Sequence, residues 1–143
     1  VARSSQGVGS EEKAGMTPLE RKKLFAKTMA SLENSVVVVE GKKDERALRN
    51  AGFQGVVLTA SGKTESIVAK VARLAKNKQV ALLFDYDGEG RRKTRFFKER
   101  FLLEGISADD LLWKKMRVAL GLRVVEELVS KLSELNDVVK EWR

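Results

Sequence analysis

The stretch Val80–Arg92, VALLFDYDGEGRR, decides the fold. Its apolar run does not alternate between faces. It reads as a strand buried on both sides, the signature of a parallel sheet covered by helices above and below. The run ends in Asp85 and Asp87, one residue apart, then breaks at Gly88 and Gly90 into a strongly basic segment. Working outward, "SVVVVE" repeats the pattern, because four successive valines cannot alternate in and out. "GVVLTASG" supplies a further strand running into a loop.

Helical segments separate these strands. "KKDERALRNAG" is short and stops at Gly52, a helix C-terminal glycine. "KTESIVAKVARLAKNK" puts Ile67, Val68, Val71, Leu74 and Ala75 on one face. "GEGRRKTRFFKERFLLEG" is a basic helix with Phe96, Phe97 and Phe101 as core contacts. Before the first strand, "MTPLERKKLFAKTMASLEN" opens with Thr17 as N-cap, Pro18 at the first helical position and Glu20 completing a capping box. Leu24 or Phe25, Met29 and Leu32 form its apolar stripe. After Gly105 the pattern is helical: Ser107 and Asp110 suggest a capping box, and a last helix is expected over about 123–139, with Val125, Leu128, Val129, Leu132 and Leu135 inward. "GIS" offers a short fourth strand. The order β-α-β-α-β-α predicts an α/β fold with right-handed crossovers and helices on both faces of a parallel sheet of about four strands. The expected organisation is a flexible tail over 1–15, an N-terminal helix over 16–34, a core over 35–110 and a C-terminal helical extension over 111–143.

Composition narrows the chemistry. The chain has 143 residues, enough for one domain with a real core. It contains no Cys and no His, which removes disulfides, thiol nucleophiles, Ser-His-Asp triads and most zinc sites. A metal would need oxygen ligands, which favours Mg²⁺, Mn²⁺ or Ca²⁺. No apolar run reaches the ~20 residues of a membrane span, so a cytoplasmic protein with no membrane partner is expected. Net charge is +8. Residues 35–105 carry 15 basic against 9 acidic side chains, whereas 106–143 carry 7 of each. A basic surface around an acidic site suggests a polyanionic partner. No motif sets an oligomeric state.

The suggestive residues lie at the carboxyl ends of strands, where open parallel sheets bind ligands. Glu40 closes the first strand, Gly62 and Lys63 follow the second, and Asp85 and Asp87 close the third. Like charges this close are tolerated when a divalent cation offsets them. The helix starting near Gly88 points its amides at the same rim, favouring phosphate there. Lys42, Lys43, Arg91 and Arg92 stand beside it, and Arg91, Arg95 and Lys98 share a helix face.

Three motifs compete. "SGKT" lacks the upstream glycine of a phosphate-binding P-loop, since Val57 stands at that position. "LLFDYDGEG" is similar to the aspartyl-phosphatase signature of haloacid-dehalogenase-like enzymes, but Glu89 departs from it and later strands are missing. "VVVVEGKKD" followed by "LLFDYDGEG" resembles the Toprim domain of topoisomerases, DnaG-type primases and related nucleases, over about residues 35–105. It is most similar to small stand-alone archaeal Toprim proteins and to the ribonuclease that matures 5S ribosomal RNA. The matched positions are Glu40, Gly41 and Asp44, then Asp85, Asp87 and Gly90.

The resemblance implies Glu40 as acid–base group, Asp85 and Asp87 as ligands of Mg²⁺ (or Mn²⁺), and all three as the catalytic and metal set. Gly41, Asp44 and Gly90 are supporting residues, Asp44 by capping. Phosphates would run over Lys42, Lys43, Gly62, Lys63, Gly88, Arg91, Arg92 and Arg95. Tyr86, the only tyrosine, is rejected as a nucleophile because it should point away from the acids. The functional expectation is a Mg²⁺-dependent nuclease on structured RNA, with ribosomal RNA or the ribosome as a possible partner and RNA favoured over DNA. The alternative is a non-catalytic RNA-binding module on a ribosomal particle.

Overall fold

The computed structural model describes residues 15–141. The expected flexible tail falls almost wholly outside these residues. Helix α1 (Pro18–Glu33) begins as its sequence dictates: the Glu20 amide donates to Thr17 Oγ1 at 3.1 Å, and Glu20 Oε1 accepts from the Thr17 amide at 2.9 Å. Next come β1 (Val36–Val39), α2 (Lys42–Asn50), β2 (Val56–Thr59), α3 (Thr64–Leu74), β3 (Val80–Leu83) and α4 (Gly88–Leu103). The chain continues through β4 (Ala108–Asp109), α5 (Leu111–Leu120), a single 3₁₀ turn (Val125–Glu127) and α6 (Leu128–Glu141).

The four strands form one sheet in the order β2-β1-β3-β4, parallel throughout. Pairing of Val36 with Val80 and Val39 with Leu83 puts the ends of β1 and β3 side by side. Both central strands are buried along their whole length. Val37, Val39, Ala81 and Leu83 face a layer that includes Phe25 and Leu32 of α1, Leu48 of α2, Trp113 and Met116 of α5, and Leu128 of α6. Val36, Val38, Val80, Leu82 and Phe84 face the opposite layer, with Ile67 and Val71 of α3 and Phe97 and Phe101 of α4. Each such side chain contributes roughly 1.5–3 kcal/mol when fully buried, so the valine run is the anchor of the sheet. Helix α1 is integral to this packing: it lies against α5 and α6, and Arg21 Nε donates to the Ala119 carbonyl at 2.9 Å.

The structure corrects several local expectations. The fourth strand is Ala108–Asp109 rather than "GIS". Phe96 and Leu74 are half-exposed, because the core takes Phe97 and Phe101 from α4 and Ile67, Val68 and Val71 from α3. No Ser107–Asp110 capping box forms: α5 starts at Leu111, whose amide donates to Asp109 Oδ1 at 3.0 Å. The last helix starts at Leu128, because residues 125–127 tighten into the 3₁₀ turn, and Val129 faces outward.

Candidate acidic site and basic groove at the carboxyl edge of the sheet

Because β1 and β3 are neighbours in register, the residues following them meet at one edge. Glu40 Oε2 accepts a hydrogen bond from the Asp85 amide at 2.8 Å. Glu40 Oε1 accepts from Lys93 Nζ at 3.0 Å, and Glu89 stands 3.8 Å from the same ammonium. Both oxygens of Glu40 are therefore engaged, one by the backbone of the next acid and one by a tethered cation.

Asp85 is the most perturbed acid of the group. Burial, reinforced by the charges of Glu40, Asp44 and Asp87, pushes its pKa up to about 6, against a smaller opposing hydrogen bond from the Val125 backbone. Its Oδ1 is buried and has no hydrogen-bond partner. Asp87 is exposed and is the N-cap of α4, accepting from the Gly90 amide at 2.7 Å. Asp44 is buried and accepts from the Gly41 amide at 3.2 Å, pinning the start of α2. Burial raises its pKa as well, with Glu126 and Glu40 adding to the effect.

Gly90 is required for space rather than for backbone conformation. A Cβ there would lie 1.8 Å from the Asp85 carbonyl oxygen. Gly88 is less constrained: a Cβ would meet nothing nearer than Arg92 Nη1 at 3.7 Å. The backbone behind the acids is tied down by the Tyr86 amide, which donates to the Arg123 carbonyl at 2.8 Å.

The chemistry of the donors fits a hard divalent cation. They are carboxylate oxygens, crowded enough to raise a pKa, and one oxygen is buried without a partner. The three acids are neighbours without forming a finished cage. Among the described residues no three acidic side chains are gathered so that they could hold a metal ion. Glu40 is engaged with Lys93 and Asp85, and Asp87 turns a carboxylate oxygen to its own helix.

The expected phosphate contacts divide into two groups. Gly88, Arg91, Arg92 and Arg95 line one groove along α4, of about 1100 Å³, walled on the far side by β4 and the first turn of α5. Lys42, Lys43 and Lys63 are exposed on the other flank, at the N-termini of α2 and α3, and do not line that groove. Gly62 adopts φ +99° in the loop before α3, the left-handed region that favours glycine.

Sequence reasoning missed the role of Lys93 and the groove contribution of Tyr86 and Lys114, whereas Lys98 lines the groove with Arg91 and Arg95, the residues with which it shares a helix face. A signal for Lys93 existed. It lies one helical turn after Gly90 and one before Phe97, close to the buried face of α4 and thus toward the sheet. The Tyr86 ring packs under Arg117, whose guanidinium carbon is 3.4 Å from the ring centroid, with Arg91 at 5.0 Å.

A Toprim domain model matches residues 34–111, more than half of the chain. The chain belongs to the Toprim family. Among its relatives, a UPF0292 protein of Thermoplasma volcanium is 30% identical over 110 residues, covering 73% of this chain and 87% of the relative. A UPF0292 protein of Methanocaldococcus jannaschii is 26% identical, covering 71% of this chain and 81% of the relative. The solved structure of a protein from Aquifex aeolicus superposes with a TM-score of 0.60 at 27% identity, covering 74% of this chain and 95% of that one. Toprim domains are metal-dependent, nucleic-acid-processing modules that generally bind Mg²⁺. Among the described residues of this Toprim protein, no helix is long and apolar enough to cross a membrane.

Proposed function

We propose that this Toprim protein is a Mg²⁺-dependent phosphodiesterase that hydrolyses RNA, with ribosomal RNA as the candidate substrate and the cytoplasm as its place of action. The observation that carries the reading is Asp85: a carboxylate with a buried, unpartnered oxygen, crowded by Glu40, Asp44 and Asp87 at the edge where the sheet binds ligands. A fold does not keep repelling acids without a cation to offset them at little cost.

Asp85 and Asp87 would hold the ion, which when bound supplies charge neutralisation on the non-bridging phosphate oxygens. Glu40 is the proton acceptor. Its Oε2 is oriented by the Asp85 amide, and release of Lys93 frees Oε1 to take a proton from the attacking water. The water oxygen bonds to phosphorus, one ester bond breaks, and the departing ribose oxygen takes up a proton. Lys93, 3.0 Å from Glu40, is the proposed donor of that proton. The basic flank steers the polyanion to the rim.

A non-catalytic RNA-binding role is the second reading, favoured by the engagement of both Glu40 oxygens. Glu40→Gln separates the two. The substitution keeps the side chain's shape and removes its basicity, so cleavage of RNA in Mg²⁺ is expected to vanish while RNA affinity stays nearly unchanged. A variant that cleaves as fast as the parent refutes the hydrolytic assignment.

A further inference from the structure

The cations of α4 fall into two classes. Lys93 and Arg100 have carboxylate partners, at 3.0 Å to Glu40 and 2.9 Å to Glu65. Arg91, Arg92, Arg95 and Lys98 form no salt bridge among the described residues, and all four line the groove. Lys114 joins them from the opposite wall, 3.9 Å from Asp110. The two paired cations are the less exposed ones of the helix, and the four exposed ones stay unpaired along a single groove, which makes that groove an anion site. Glu99 is the other acid there.

The groove is also partly apolar. Leu102, which is 70% exposed, and Ile106 line it toward the C-terminal end of α4. Tyr86 lies at the end nearest the acids, its ring packed against Arg117. From Gly88 to Leu102 the groove follows α4 for roughly 21 Å at 1.5 Å per residue. That accommodates about six nucleotides at the 3.4 Å rise of a stacked strand. A basic channel with apolar and aromatic surface suits exposed bases and a flexible backbone. A duplex turns its bases inward and could use only the cations on the lip.

We propose that this groove binds a single-stranded nucleic-acid segment, lying along α4 and leading to the acidic rim at Gly88. The proposal rests on the nucleic-acid reading above and names its substrate class: a single-stranded stretch or tail, even where the rest of the molecule is folded. Arg91, Arg92, Arg95, Lys98 and Lys114 hold its phosphates, and Tyr86 offers a stacking surface where the strand meets the acids.

The test is fluorescence anisotropy in EDTA, where no cleavage occurs, using labelled single-stranded RNA and DNA of about three to twelve nucleotides and blunt duplexes of the longest sequences. Single strands are expected to bind at least about tenfold tighter than duplexes, with affinity rising up to roughly six nucleotides and then levelling. Comparison of the two single strands reports the RNA or DNA preference. Arg95→Glu with Lys98→Glu, both exposed positions, is expected to lower single-strand affinity at least tenfold. The neutral pair Arg95→Gln with Lys98→Gln should reduce the salt slope by about 1.4, at ~0.7 per phosphate contact. Equal or tighter binding of duplex, no binding of any probe, or unchanged single-strand affinity in both variants overturns the groove. A Glu40→Gln protein that still cleaves overturns the hydrolytic reading instead and leaves the groove standing.

Discussion

Replacing Asp85 by Asn should make the metal-free protein more stable while removing its capacity for the ion. The carboxyl pKa rises from 3.8 to about 6 on folding, through burial first and then through Glu40, Asp44 and Asp87. At ~1.4 kcal/mol per unit, that shift corresponds to about 3 kcal/mol, and solvent screening at this partly open rim reduces it to roughly 1–2 kcal/mol. The sign follows from proton binding. Between about pH 4 and pH 6 the folded chain holds a proton that the unfolded chain has released, so stability falls as pH rises through this window and stays lowered above it. Asn is neutral throughout and nearly the same shape. At pH 7.5 in EDTA, urea denaturation should show Asp85→Asn more stable by about 1–2 kcal/mol, with Tm higher by roughly 3–8 °C. The gap should close toward pH 4. Adding Mg²⁺ should stabilise the parent, by about 2.7 kcal/mol at a hundredfold excess over Kd, and not the variant. A variant less stable than the parent at pH 7.5, or a gap that does not change with pH, refutes the reasoning.

Two further outcomes follow from the same geometry. Gly90→Ala places a methyl 1.8 Å from the Asp85 carbonyl oxygen, so the start of α4 must move. The change should cost at least about 2 kcal/mol despite the better helix propensity of Ala, and unaltered urea stability would contradict it. Lys93→Met frees Glu40 Oε1 from its tethered cation, so Mn²⁺ affinity measured by calorimetry should rise roughly tenfold, or about 1.4 kcal/mol. Unchanged or weaker binding would mean that Lys93 does not compete with the ion.

Much of the fold was legible because its strongest signals were local. Val36–Val39 and Val80–Leu83 could only be strands buried on both faces, and the capping residues Thr17 and Glu20 fixed a helix start. The pairing of Glu40 with Asp85 followed once the two strands were taken as neighbours, and the register makes them so. What the sequence could not convey depended on long-range placement. Phe96 and Phe97 are adjacent, and only the position of β3 decides which one is buried. The groove depends on where β4 and α5 return relative to α4, so Lys114 joins Arg91 and Arg95 without any motif linking them. Lys93 was hidden among six basic residues, and its meaning lies in the one acid it faces.

The features at the rim share a physical logic. Asp85 is ionised against its surroundings, Gly90 gives up a side chain so that backbone can approach backbone, and Lys93 leaves open solvent to sit on Glu40. The first two work against stability or helix propensity taken alone, the third offsets the acids, and all three bear on the same small volume. Lys93 gives the simplest account of how such a site persists without an ion: a tethered internal cation partly offsets the acids and can be exchanged for a stronger one. On that view the cations of the groove and Lys93 have distinct tasks. The unpaired arginines hold an external polyanion in place, and the paired lysine keeps the acids folded until a divalent ion takes over its charge. Salt should then weaken nucleic-acid binding steeply and leave the metal-free fold almost untouched, because Lys93 and Glu40 are neighbours well inside one Debye length.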